Sequence, residues 1–170
     1  LVAFGADSHI AAGGEANQER AEAMLRRWLI EHSESDKFGD SEKARMQLLL
    51  AKNYDRAKRY EVARSEYGTV VNRYRDTPEA EEARFGIGET LMAQKIFDQA
   101  EEIFSELAGS ARPKTRLRGQ FLRGVLASER GERDKARRIF RSVLQGLPDI
   151  TLADRALFEL AEVYGYEQRY

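Results

Sequence analysis

The chain has 170 residues, enough for one ordinary domain, of which 42% are hydrophobic and 34% charged. Its 28 Lys and Arg residues nearly balance 29 Asp and Glu residues, so the net charge indicates neither a nucleic-acid nor a membrane partner. The absence of Cys excludes disulfides, thiolate zinc sites and a cysteine nucleophile, and no apolar run approaches the roughly 20 residues of a membrane-spanning helix.

Helical periodicity runs through almost the whole chain. Apolar residues recur at i, i+3, i+4 and i+7, and no stretch shows the two-residue alternation of a strand. The pattern predicts an all-α protein with helices over 2–12, 16–32, 41–57, 60–74, 78–94, 97–109, 114–130, 133–146 and 151–167. Thr77-Pro78 is typical of an N-cap followed by a first-turn proline. Because the loops are short, we expect paired helices to be antiparallel.

A set of small and large residues returns every 36 to 37 residues. Ala63, Ala100 and Ala136 are each followed four residues later by an aromatic side chain, namely Tyr67, Phe104 and Phe140. The preceding helices carry small residues at the same interval, at Ala51, Gly88, Gly124 and Ala161. A period of this size predicts stacked helix pairs, in which small residues let two helices cross closely beside a filling ring.

These residues resemble the tetratricopeptide repeat family. The match covers about Met46 to Tyr170 and consists of Leu50-Ala51-x-x-Tyr54…Ala63…Tyr67, Ile87-Gly88…Ala100…Phe104 and Gly124…Gly131…Ala136…Phe140…Pro148. The resemblance implies a right-handed superhelical solenoid of antiparallel helix pairs, with units at about 1–36, 44–80, 81–116 and 117–150 and a partial unit at 151–170. Two departures are a period above the common 34 residues and polar residues where the family usually has a bulky one, at Gln47, Arg84 and Gln120.

One segment resembles a particular subtype of the family. Residues 73–83, followed by Phe85-x-x-Gly88-Glu89, are similar to repeats of bacterial cell-envelope proteins such as Tol–Pal accessory proteins and outer-membrane-assembly lipoproteins. This resemblance implies a periplasmic or envelope location, which nothing else in the sequence assigns. We expect the chain to be part of a longer polypeptide, with its last helix either a cap or the first half of a truncated repeat.

The resemblance also implies where a partner binds, because first helices line the concave face of such a solenoid. The implied partner-binding residues are Leu48, Lys52, Arg56, Phe85, Glu89, Met92, Phe121, Val125, Phe158 and Glu162. The large apolar members either form a line that grips a peptide or helix, or pack between adjacent repeats. Co-chaperones of this family bind a C-terminal carboxylate at positions that here hold Leu48/Lys52 and Phe85/Glu89, so we do not expect that activity.

Charge is distributed unevenly along the chain. Residues 76–106 carry nine acids and two bases, whereas residues 112–141 carry eleven bases and three acids. A basic patch is predicted at Arg112, Lys114, Arg116, Arg118, Arg137 and Arg138. Three interpretations stay open: solvated faces that attract each other, docking of an acidic partner or of a second copy, and binding of nucleic acid or another anionic polymer. The last is least favoured because it needs stacking aromatics, and only Phe121 and Phe140 are near.

The sequence contains no recognisable catalytic or cofactor-binding motif. His9 and His32 are the only histidines and lack metal-ligand spacing, and Gly86-Ile87-Gly88 lies within a predicted helix with no preceding strand. We therefore expect no enzyme activity, metal or cofactor. The expected function is a non-catalytic protein–protein interaction scaffold, and the alternative is a structural segment that oligomerises.

Overall fold

The computed structural model describes residues 2–146 and 149–167, apart from the side chains of Phe4, Tyr166 and Glu167. The described residues form helices α1 (Val2–Ala12), α2 (Glu15–His32), α3 (Asp40–Arg56), α4 (Tyr60–Arg73), α5 (Pro78–Ala93), α6 (Phe97–Ala108), α7 (Pro113–Glu129), α8 (Arg133–Gln145) and α9 (Ile150–Glu167), and no strand. The predicted all-α class is confirmed, and every predicted helix end lies within one residue of the observed end. Pro148 and Tyr170, which belong to the repeat pattern, lie outside the described residues.

Local signals explain several helix boundaries. The Thr77 side chain accepts a hydrogen bond from the backbone N–H of Ala80 at 3.3 Å, with Pro78 in the first turn of α5. Between α3 and α4, Lys58 has a φ of 58°, and the N–H of Arg59 donates to the carbonyl of Tyr54 at 2.9 Å. Gly131 has a φ of 76° between α7 and α8, with an equivalent bond from Glu132 to Ala127 at 2.8 Å. Both are helix ends closed by a residue in the left-handed region.

The helices divide into two compact units, residues 1–94 and 95–170. In the first unit, α1 contacts α3 and α3 contacts α5, while α2 packs against α1 and α3, and α4 packs against α3 and α5. In the second unit, α6, α8 and α9 all contact α7, and α8 also packs against α9. Within each unit, helices adjacent in sequence are adjacent in space, which is the packing of a helical solenoid.

Small residues face aromatic rings inside both units. In the first unit, a Cβ added at Gly86 of α5 would lie 2.5 Å from the Tyr67 ring of α4. In the second, a Cβ added at Gly124 of α7 would lie 2.6 Å from the Phe140 ring of α8. Both rings are buried. The glycines therefore allow helix separations that any side chain would widen.

A still closer approach joins α6 to α7 in the second unit. A Cβ added at Gly119 would lie 2.5 Å from the backbone nitrogen of Ala108 and 2.8 Å from the carbonyl carbon of Leu107. The backbone at the end of α6 is therefore in direct contact with the backbone of α7 at Gly119. The buried large apolar side chains of α6 and α7 are Phe104, Leu107, Leu117, Phe121, Leu122 and Leu126.

Candidate protein-binding surfaces

The first unit presents a polar surface where α3 and α5 lie side by side. Lys52 Nζ lies 3.5 Å from Glu82 Oε1, and Arg56 Nη1 donates to the carbonyl of Ile10 at 2.8 Å. Glu89 and Met92 are half-buried on α5. We call Lys52, Arg56, Glu82, Glu89 and Met92 the α3–α5 surface. Lys52 and Glu82 hold each other and Arg56 is held by α1, so three charged side chains of this surface are positioned before any partner arrives.

A carboxyl group lies partly buried beside this surface. Thr90 Oγ1 is 3.0 Å from Asp55 Oδ1 and 2.7 Å from the carbonyl oxygen of Gly86. Burial raises the pKa of Asp55, against the opposing effects of the Thr90 hydrogen bond and the Arg56 charge. The Thr90 hydroxyl has one proton to donate to these two oxygens, and its bond to Asp55 favours the charged carboxylate. Burial also raises the pKa of Tyr67, as do the charges of Asp55 and nearby glutamates.

The apolar line expected from the sequence is not accessible over most of its length. Leu48 is 7% exposed, Phe85 2% and Phe121 0%, whereas Phe158 is 65% exposed. Of the two interpretations left open by the sequence, packing in the interior is therefore the one that describes Leu48, Phe85 and Phe121, so these three do not offer a surface to a partner. Removing a large apolar side chain from water lowers the free energy of the folded state, and the neighbouring helices bury these three side chains in this way.

The other expected contact residues keep some exposure. Met92 and Val125 are half-buried, one in each unit, and Glu162 is exposed on α9. Phe158 and Glu162 line a shallow depression of about 420 Å³ together with Ser128 and Glu129 of α7. Leu157, which the sequence did not single out for binding, is 53% exposed beside Phe158. Binding through any of these residues stays a prediction.

A polar network between α2 and α3 was not predicted. The Tyr54 hydroxyl donates to Glu22 Oε1 at 2.8 Å and accepts from Arg26 Nη2 at 2.6 Å, and Arg59 Nη1 donates to Glu22 Oε2 at 3.0 Å. Burial acts to raise the pKa of Glu22, but the bonds from Tyr54 and Arg26 and the two arginine charges lower it below its usual value. The partners lie 28 to 37 residues apart, so no local pattern could have joined them.

The second unit contains a cleft of about 680 Å³ between α7 and α9. We call it the α7–α9 cleft. It is lined by Pro113, Lys114, Leu117 and Arg118 of α7, by Gly146 and Asp149, and by Thr151, Leu152 and Arg155 of α9. Its walls therefore combine three cationic side chains and one carboxylate with an apolar floor.

The predicted basic patch is divided among several places. Lys114 and Arg118 line the cleft, whereas Arg116 Nη1 donates to the carbonyl of Ser110 at 3.1 Å. Arg112 precedes α7 as its N-cap, and Arg137 forms an ion pair with Asp134 and lies over the Tyr164 ring at 5.5 Å. Arg138 is exposed on α8. The structure thus brings two of the six together and adds Arg155, which lies beyond the basic run in sequence.

Some basic residues of the second unit form ion pairs with acidic residues of the same unit. Arg123 Nη2 lies 2.9 Å from Glu101 Oε1, and Arg130 Nη2 lies 2.6 Å from Asp98 Oδ1. Each pair joins a basic residue of α7, or of the turn after it, to an acidic residue of α6. This agrees with attraction between neighbouring repeats, although exposed pairs of this kind contribute only about 0–1 kcal/mol each.

The described residues, 2–146 and 149–167, offer neither a metal centre nor a membrane-spanning helix. They contain no group of three or more His, Asp or Glu side chains arranged to hold a metal ion. None of their helices combines the length and the hydropathy needed to cross a lipid bilayer.

The packing and surfaces of both units define an all-α protein of the helical-solenoid class. No protein-family model and no curated protein matches the chain. Its fold is similar to the crystal structure of BtubC (BKLC) from P. vanneervenii, with a TM-score of 0.73 and 20% sequence identity over 94% of this chain and 69% of that chain. At this identity the likeness establishes the fold alone.

Proposed function

We propose that the chain is a non-catalytic scaffold of the tetratricopeptide type that binds a peptide or helix of a partner protein. The observation that carries this proposal is the close packing of helical glycines on buried aromatic rings in both units, of Gly86 on Tyr67 in the first and of Gly124 on Phe140 in the second. These contacts lie in the core between helices, and other faces of the same helices stay exposed to solvent. Repeat proteins typically use such faces as extended binding surfaces.

The chemistry of these faces supports recognition by charge and hydrogen bonds. Because Leu48, Phe85 and Phe121 are interior, the binding residues that we retain are Lys52, Arg56, Glu89 and Met92 in the first unit, and Val125, Phe158 and Glu162 in the second. Half-buried Met and Val side chains among charged neighbours suit an amphipathic ligand. A cell-envelope location is part of the proposal and rests only on the resemblance of residues 73–89.

Selection from a random-peptide display library tests the proposal. We expect peptides that bind the purified chain and lose at least about tenfold in affinity for Met92→Glu or Val125→Glu, because a charge placed on the binding face must be desolvated. Glu102→Lys, on an exposed position of α6, is the matched control and should bind as the unmodified chain does. Circular dichroism of each variant confirms that its helices are intact. Failure to recover any binder, or equal loss in all three variants, contradicts the proposal.

Self-association of the chain is a second candidate function, favoured by α9. Ile150, Leu157 and Phe158 are all exposed on this helix, which is unusual for large apolar side chains. The acidic run 76–106 and the basic run 112–141 also offer complementary charge to a second copy. Sedimentation equilibrium at low and high salt separates the cases: an assembly that persists in salt indicates α9, one that dissociates indicates the charged runs, and a monomer at both salts excludes self-association.

A further inference from the structure

Two cationic side chains that line the α7–α9 cleft, Lys114 and Arg155, keep their hydrogen-bond donors available. Among the described residues, Lys114 and Arg155 form neither an ion pair nor a side-chain hydrogen bond with another residue. This contrasts with Arg123 and Arg130 of the same unit, which are paired with carboxylates at 2.9 and 2.6 Å. A cation whose hydrogen-bond donors are unused can form charge-assisted bonds to an incoming carboxylate, and these are the stronger class of hydrogen bond.

Arg155 is also held in place. Its guanidinium carbon lies 4.7 Å from the centre of the Phe121 ring, and this ring is fully buried beneath it. The planar guanidinium rests on the ring as a cation–π pair, which restricts its orientation without using its N–H donors. Binding an anion there therefore needs less ordering of the side chain than binding at a freely rotating arginine.

The floor and the one carboxylate of the cleft narrow the choice of ligand. Leu117, Leu152 and Pro113 provide an apolar floor, and Leu117 also lies so close to Gly146 that any side chain there would displace it. Asp149 Oδ1 accepts a hydrogen bond from the N–H of Leu152 at 3.0 Å and contributes negative charge at the same rim. A ligand that fits must therefore combine anionic groups with an apolar group, and must keep its anionic groups away from the Asp149 carboxylate.

We propose that the α7–α9 cleft binds a short acidic segment of a partner protein, with carboxylates at Lys114 and Arg155 and an apolar side chain on Leu117 and Leu152. The proposal rests on the scaffold function above and specifies the partner's chemistry. A nucleic-acid strand fits less well, because none of the described residues that line the cleft is aromatic and available for base stacking, and Arg155 covers the Phe121 ring. Regularly spaced phosphates would also approach Asp149.

The test uses the same random-peptide library with a different readout. Peptides selected on the unmodified chain should be enriched in Asp and Glu around an apolar residue. Their affinity should fall at least about tenfold for the double variant Lys114→Gln/Arg155→Gln, which removes two charge-assisted bonds. The matched control Arg20→Gln/Arg84→Gln removes the same charge from exposed positions outside the cleft and should change affinity less than about twofold. Equal loss in both double variants would show that bulk charge, not the cleft, attracts the peptides, and would overturn the proposal.

Location is checked independently with selectively ¹⁵N-glycine-labelled protein. Addition of a selected acidic peptide should shift the amide signal of Gly146, which lines the cleft, and leave that of Gly68 in α4 unchanged. An unmoved Gly146 signal overturns the proposal, as does a deoxythymidine oligonucleotide that binds more tightly than the peptides and displaces them. Binders without acidic enrichment that depend on Met92 or Val125 would refute the cleft and leave the scaffold function standing, whereas recovery of no binders refutes both.

Discussion

Gly119 offers the sharpest test of the packing in the second unit. In Gly119→Ala, the new Cβ would lie 2.5 Å from the backbone nitrogen of Ala108, 2.8 Å from the carbonyl carbon of Leu107 and 3.0 Å from the Ala108 Cα. Ordinary contact begins about 1 Å further out, and a backbone segment inside a helix cannot rotate away as a side chain can. Overpacking of this kind costs roughly 1–3 kcal/mol, and we expect the upper part of that range. Replacing a helical glycine by alanine returns about 1 kcal/mol, so the net loss of unfolding free energy is about 1–2 kcal/mol.

Gly68→Ala is the matched control for this variant. Gly68 also lies within a helix, α4, but a Cβ there meets nothing within 4 Å. We expect the control to gain about 0.5–1 kcal/mol, so the two alanine variants should change stability in opposite directions. Urea unfolding followed by circular dichroism measures both. A Gly119→Ala protein as stable as the unmodified chain would show that α6 and α7 are not in backbone contact.

Three further perturbations test other contacts. Ala100→Leu places a large side chain at a fully buried position and should cost roughly 1–3 kcal/mol; an unchanged melting temperature would mean that the proposed repeat register is wrong. Tyr54→Phe removes the hydroxyl between Glu22 and Arg26 and should cost about 1–2 kcal/mol in urea unfolding, whereas Tyr60→Phe should have little effect; equal losses would deny the network a role. The pKa of Asp55 is raised in the fold, so its stabilising contribution is present below its unfolded pKa and is lost as pH rises through the folded value. Thermal melting from pH 4 to 8 should therefore show the melting temperature of Asp55→Asn increasing relative to that of the unmodified chain as pH rises. A difference in melting temperature that stays constant over this range would contradict this account.

The helices could be predicted because their signals are local. Apolar spacing of three and four residues and the Thr77-Pro78 start act within one or two turns, and they placed every described helix end within one residue. The repeat period similarly predicted which small residues would lie in the core. Ala63, Ala100 and Ala136 are all fully buried, as the small–aromatic pattern requires.

The surfaces could not be predicted in the same way, because they depend on residues distant in sequence. Lys114 and Arg155 are 41 positions apart and share a cleft only because α7 and α9 pack together. Register alone could not decide whether Phe85 and Phe121 face a ligand or the interior, because a position beside a neighbouring helix can do either. The packing of each unit decided in favour of the interior.

The left-handed turns between helices show that repeats can share a backbone conformation without sharing a residue type. Lys58, Lys95 and Gly131 recur at the repeat interval, and their φ values are 58°, 61° and 76°, yet only one of the three is glycine. A lysine in this conformation costs about 1–2 kcal/mol relative to its ordinary backbone, and the chain tolerates that cost twice. The repeats therefore share a backbone geometry at this turn but not the residue type that usually adopts it. In such a chain, the repeats are easier to recognise from the path of the backbone than from the residue types at equivalent positions.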